Sequence, residues 1–186
     1  MLTRRNLILG FSALVATAPL PALAAKPKNF RLNSKFKPRN VRFKGYPVGT
    51  IVVDQRKHFL YLVTGRGRAR RYGVGLGKAG LAFNGSATIG RKAKWPRWTP
   101  TANMIRRDPR RYKKYAGGLP GGINNPLGAR ALYLHRNGRD TLFRIHGTTE
   151  PWSIGQNVSS GCVRMINAHV EDLYERVRIG AKVVAI

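Results

Sequence analysis

Between Thr50 and Ile145 the chain is a succession of short β-branched and aromatic runs cut by turn residues, and only one later stretch has helical spacing. That pattern confines the fold to a mostly β domain. Thr50–Asp54 and His58–Val63 read as a hairpin, and Arg70–Val74 and Ala87–Trp98 as further strands. Ala131–His135 and Thr141–Ile145 flank Asn137-Gly138. Asn-Gly is a strong short hairpin signal, because both central residues of the turn need positive φ. The helix comes late. Val170, Leu173, Tyr174 and Val177 fall on one face, Asn167 stands where a cap belongs, and Gly180 is a natural stop before a final strand over 181–186. Between Thr99 and Gly128 the composition turns to Gly, Pro, Asn and Arg. A loop of that length inside a compact domain reads as a lid, a binding loop or a disordered insert.

The chain has 186 residues, which suits one domain with a short extension. Thr3-Arg4-Arg5-Asn6 opens a short, mildly apolar stretch, broken by Pro19 and Pro21 and followed by Ala22-Leu23-Ala24. This pattern reads as a twin-arginine-type signal peptide over 1–24, with an ordinary secretory signal as the alternative. No apolar run is long enough to span a bilayer. Residues 25–47, rich in Lys, Arg, Asn and Pro, read as a basic N-terminal arm, and 48–186 as the functional domain. The expected location is a periplasm.

Charge is the outlier: 35 Lys and Arg against 7 Asp and Glu give +28. Such a field favours acidic partners without choosing among them. The runs Arg66–Arg71 and Arg106–Lys114 are unaccompanied by any nucleic-acid-binding motif, and nucleic acid is not expected in an exported location. Gly75-Leu76-Gly77-Lys78-Ala79-Gly80 matches a dinucleotide-binding pattern but has no helix after it, so a strand-end turn is the reading. His58, His135, His146 and His169 lack metal-ligand spacing, and no metal is expected.

Cys162 is the only cysteine, which excludes an internal disulfide. It is either an inert buried thiol or a nucleophile. Its neighbours favour the nucleophile. Ser159-Ser160-Gly161-Cys162 is a small turn just before the helix, Arg164 places a cation nearby, and His146 ends a hairpin strand upstream. A Cys with a neighbouring His forms a nucleophile and base pair.

His146-Gly147-Thr148, followed by Ser159-Ser160-Gly161-Cys162-Val163-Arg164-Met165 and Asn167, resembles the signature of L,D-transpeptidase (YkuD-type) catalytic domains. Asn125–Leu134 and Glu150–Gly155 are similar to the ErfK/YbiS-like branch. The resemblance runs over about residues 48–186, and it departs from the pattern at Ser160, where many members carry His. It implies a β-sandwich-like fold, with one main helix after the catalytic Cys, and no cofactor. It also implies an acyl transfer on peptidoglycan stem peptides. Cys162 would attack the third residue of a tetrapeptide stem and release D-Ala. An amine from another stem, an outer-membrane lipoprotein or a free D-amino acid would then resolve the thioester.

On the same resemblance His146 is the general base and acid, and the Gly147 carbonyl orients it. The N–H groups of Gly161 and Cys162 hold the oxyanion. Arg164, Ser160, Tyr133, Trp152 and Asn167 are the candidate substrate contacts. Two other readings stay open at this point. One is a cysteine hydrolase or carboxypeptidase on the same stems. The other is a non-catalytic cationic wall-binding protein.

Overall fold

A nine-stranded mixed sheet carries the domain, and its strands follow from the alternating runs in the sequence. The computed structural model describes residues 29–186, so the signal region over 1–24 and the first residues of the arm lie outside the described residues. β1 (Arg39–Arg42), β2 (Ile51–Asp54), β3 (Phe59–Gly65), β4 (Arg68–Gly73) and β6 (Ser86–Lys94) come from the first half of the domain. β7 (Arg130–Arg136), β8 (Arg139–His146), β10 (Val163–Arg164) and β11 (Lys182–Ala185) come from the second. Their order across the sheet is β1-β4-β3-β2-β11-β6-β7-β8-β10. β5 (Leu76–Gly77) and β9 (Asn157–Ser159) form a separate parallel pair.

Both expected hairpins are present. β2 and β3 pair antiparallel with Ile51 opposite Leu62. β7 and β8 pair antiparallel around Asn137 and Gly138, whose φ angles of 50° and 75° are what the Asn-Gly turn requires.

One helix of substance, α3 (Asn167–Arg176), follows the Cys162 turn. Its Val170 and Leu173 are fully buried against Ile51, Leu132, Ile145 and Met165. Burial of each such side chain is worth about 1.5–3 kcal/mol. Polar contacts hold the middle and the C-terminal end of the helix to the sheet. Asp172 accepts from Arg70 Nε (2.5 Å) and from Tyr72 Oη (2.8 Å) on β4. Lys92 Nζ on β6 donates to the carbonyls of Tyr174 (2.6 Å) and Val177 (2.7 Å), which the helix end leaves without intrahelical partners.

Three expectations are corrected. Arg39–Arg42 does not belong to a loose arm but is edge strand β1, paired with β4. The segment docks because Val41, Phe43 and Tyr46 cover a second apolar cluster of Val52, Tyr61 and Ala69 on the outer face of the sheet. The lid region is not irregular throughout: it contains α1 (Ala102–Arg107), capped by Thr101, and α2 (Pro109–Tyr112), capped by Asp108. Asn167 does not cap α3. It is the first helical residue, Ile166 holds the cap position, and the Asn167 side chain goes elsewhere. Among the described residues, no helix is long and apolar enough to cross a membrane.

Candidate active site

Cys162 and His146 are brought together by strand register. β10 runs parallel to β8, with Val163 beside Ile145 and Arg164 beside His146. Val163 and Ile145 point into the core. Strand alternation therefore sends Cys162, Arg164, Arg144 and His146 to the opposite face. Cys162, His146 and Arg164 line a cleft of about 850 Å³, whose lid side carries Trp98, Tyr112 and Tyr115. The Trp98 ring meets Tyr115 and Tyr112 edge-on, with centroids 5.6 and 6.3 Å away, which seats the lid helices.

The Cys162 turn is tied from within and from below. Ser159 Oγ donates to the Cys162 carbonyl (2.7 Å) and accepts from the Gly161 N–H (3.2 Å). Lys78 N–H donates to the Ser159 carbonyl (3.0 Å), and Gly75 exchanges both backbone hydrogen bonds with Arg164 (2.9 and 2.8 Å). A Cβ at Gly77 would stand 2.8 Å from Gly161 Cα. Gly77, one of the glycines that mimic a dinucleotide motif, thus lets one backbone approach another beneath the turn. The Gly161 N–H, expected at the oxyanion, is directed to Ser159 instead.

His146 is 5% exposed. Its Nδ1–H donates to the Gly147 carbonyl at 2.5 Å. Burial, then the charge of Arg164, pushes its pKa down to about 3. The resting imidazole is therefore neutral, with its proton on Nδ1 and its lone pair on Nε2. Cys162 is half-buried, and its Sγ lies 4.0 Å from the Leu142 carbonyl. Burial pushes the thiol up, against the opposing pull of the Arg144 N–H and of the Arg144 and Arg164 charges. The Arg164 charge does favour the thiolate, as expected, but desolvation outweighs it.

Several residues that shape this site were not among the candidate site residues read from the sequence. Leu142 has a φ of +64°, an unfavourable value for a branched side chain, and is 60% exposed at the lip of the cleft. Asp140 holds it there: its Oδ1 accepts from the Leu142 N–H (2.8 Å), and its two oxygens grip the Arg144 guanidinium at 2.8 and 3.0 Å. Glu150 links the lid to the floor. One of its oxygens takes Arg164 Nη1 at 2.5 Å, and the other lies 3.7 Å from Arg111 on α2. Glu150 is the single carboxylate among the residues lining the cleft, against Arg106, Arg107, Arg111, Lys114 and Arg164.

The expected substrate contacts divide. Arg164 and Ser160 line the cleft. The Arg164 Nε is buried without a hydrogen-bond partner among the described residues. Tyr133 and Trp152 do not line it. The Tyr133 ring is sandwiched by guanidiniums, with Arg91 at 3.5 Å and Arg144 at 4.5 Å. Trp152 is half-buried in the 3₁₀ turn Pro151–Ser153. Asn167 lies behind the catalytic face, where its Oδ1 accepts from Thr148 N–H (3.1 Å) and Ala129 N–H (3.2 Å).

Comparisons with known proteins identify the family. The family model of the L,D-transpeptidase catalytic domain, YkuD, matches residues 49–185. The chain is 37% identical over 112 residues to ErfK/SrfK of Escherichia coli, named a probable L,D-transpeptidase, covering 59% of this chain and 34% of that protein. It is 32% identical over 137 residues to YbiS of Escherichia coli, also named a probable L,D-transpeptidase, covering 73% and 43%. The chain thus spans less than half the length of these relatives. A solved structure from Brucella melitensis, described as a probable carnitine operon oxidoreductase, is 54% identical with a TM-score of 0.58, covering 83% of this chain and 96% of that one. The match over nearly the whole β domain, with the Cys162 turn and His146 on one cleft, makes this chain a member of the YkuD L,D-transpeptidase catalytic domain family.

Proposed function

We propose that this chain is a peptidoglycan L,D-transpeptidase that works through a thioester on Cys162. The observation that carries the reading is the parallel register of β10 and β8, which places the thiol and a neutral, Nδ1-protonated imidazole in the same cleft. His146 Nε2 takes the thiol proton as Sγ attacks the carbonyl of the third residue of a tetrapeptide stem. The Cys162 N–H steadies the developing oxyanion, a contribution of about 3–4 kcal/mol for a well-placed donor. The tetrahedral species collapses, its C–N bond to D-Ala breaks, and His146 returns the proton to the leaving amine. The incoming acceptor amine then gives a proton to His146, attacks the thioester carbonyl and expels the Cys162 thiolate, which His146 reprotonates.

The Gly147 carbonyl plays the part that a carboxylate plays in Ser-His-Asp sites, fixing the tautomer. Arg164, a cation lining the cleft, suits a stem carboxylate. The cationic lining of the cleft fits a ligand bearing several carboxylates. In this reading the leader over 1–24 delivers the chain to the periplasm. The acceptor is another stem, an outer-membrane lipoprotein or a free D-amino acid.

Intact-mass spectrometry of the mature protein with a purified tetrapeptide muropeptide tests the reading, with Cys162→Ala as control. Transpeptidation predicts an adduct on the wild type alone, followed by a crosslinked dimer. An adduct that decays only to the tripeptide would instead establish a hydrolase. No adduct on a folded wild-type protein would overturn the Cys162 assignment for this substrate.

A further inference from the structure

Asn167 makes an unusual use of its side chain. Asn is among the best helix caps, yet at the start of α3 it turns away from its own helix. Its Oδ1 accepts from two amides in other parts of the chain, Ala129 just before β7 and Thr148 just after β8. The Thr148 N–H belongs to the same peptide plane as the Gly147 carbonyl. That carbonyl receives the Nδ1–H of His146. The two groups point to opposite sides of one rigid unit, because the peptide bond is planar and trans. Gripping the N–H therefore sets the direction of the C=O.

Space is reserved for this grip. A Cβ on either Gly128 or Gly147 would collide with Asn167 Oδ1. Both positions facing the amide oxygen are glycine. The His146 backbone is pinned as well: its carbonyl accepts from the Met165 N–H at 2.8 Å, as the chain leaves β10 for α3. Met165 thus holds the His146 carbonyl, and Asn167 the N–H of the peptide whose Gly147 carbonyl orients the ring, from one short segment, Met165–Asn167, the same segment that continues from Cys162.

We infer that Asn167 is a positioning residue for the acyl-transfer reaction: by clamping the Gly147–Thr148 peptide it holds the carbonyl that keeps the His146 proton on Nδ1. The inference rests on the reading of His146 as the base. It assigns Asn167 no contact with substrate, in place of the substrate-binding role the sequence suggests. Without the clamp the peptide is free to rotate, and the imidazole samples the Nε2–H tautomer, which cannot accept the thiol proton at Nε2.

Asn167→Ala and Asn167→Asp test it, with steady-state kinetics and ¹⁵N NMR of the His146 ring. Aspartate keeps an acceptor oxygen at the same reach, so Asn167→Asp should retain kcat within about threefold. Asn167→Ala should lower kcat by about 10- to 100-fold, the scale of a misplaced catalytic group, with KM unchanged. Its His146 spectrum should shift from a pure Nδ1–H tautomer to a mixture. Asn167→Ser, which is too short to reach both amides, replaces Asn167→Ala in both measurements if the alanine variant does not fold. A folded Asn167→Ala or Asn167→Ser with unchanged kcat and a pure Nδ1–H ring would overturn the inference. So would equal losses in the Asp variant and the truncated one. His146→Gln separates the two ideas. If it retains turnover, the base reading fails, while the tautomer in the Asn167 variants still reports whether the clamp exists.

Discussion

Arg164 stands beside His146 in the parallel register of β10 and β8, so a permanent cation adjoins the candidate base. After burial, that cation is the largest cause holding the imidazole near pKa 3. A neutral base results, one that cannot be switched off by ordinary acidification. Removing the guanidinium removes a downward push, so the His146 pKa rises in Arg164→Gln. The acid limb of kcat/KM against pH should therefore move to higher pH in that variant than in the wild type. An unmoved limb would sever the link between the two residues.

Arg164 should also be felt in binding. A hydrogen bond to a charged group is worth about 1.5–3 kcal/mol, or about 10- to 100-fold. Arg164→Gln should raise KM by that factor for a stem with free carboxylates. A stem whose carboxylates are amidated should show little difference between variant and wild type. Equal losses on both stems would place Arg164 outside substrate recognition.

Stability should depend on pH through His146. The folded ring holds no proton until about pH 3, whereas an unfolded histidine takes one up near 6.5. Below 6.5 the unfolded state binds the extra proton, so the contribution is complete above that pH and is lost as pH falls towards 3. The slope approaches about 1.4 kcal/mol per pH unit. Urea unfolding between pH 8 and 5 should show wild type losing more than His146→Gln, and parallel curves would contradict the buried neutral ring.

The Cys162 thiol, pushed up by burial, should resist alkylation. Iodoacetamide reacts with the thiolate, so the rate should lie below that of free cysteine at pH 7.5 and keep rising above pH 9. His146→Gln should leave this profile nearly unchanged, because a neutral ring supplies no charge. A reactive thiolate at neutral pH would point to an ion pair in place of the neutral Cys-His pair.

Leu142 carries backbone strain on an exposed side chain, so relief should cost little packing. Asn tolerates the left-handed region better than Leu. Leu142→Asn should raise the unfolding free energy by about 1 kcal/mol, measured by urea titration. A loss of stability would mean that the Leu142 side chain contributes more at the lip of the cleft than its exposure suggests.

Legibility in the sequence followed the range of the interactions involved. The hairpins at 51–65 and 130–146 were readable because alternation and the Asn137-Gly138 turn are local properties. Cys162 and His146 stood out as candidates because acyl transfer needs those residue types, and the structure puts both on one cleft. Strand β1 was not, since its Arg-Asn-Val-Arg sequence looks like a charged tether and is a strand only because β4 is beside it. Asp140, Glu150 and Asn167 act through contacts with partners whose own positions depend on the finished sheet. Tyr133 looked like a pocket wall by composition, yet two arginines occupy its faces. Charge counting could not reveal which cations are already engaged by aromatic rings.

β11 inserts between β2 and β6, near the middle of the sheet, yet it is the last strand of the domain in sequence. Val183 pairs with Ile51 on one side and Ala87 on the other. No strand therefore pairs with both halves of the sheet until β11 is in place. A chain still lacking β11 would leave two open edges, on β2 and on β6, with the candidate cleft on the β6 side and the basic edge strand β1 on the other. Closure of the sheet into one continuous surface therefore waits on β11, the strand made last.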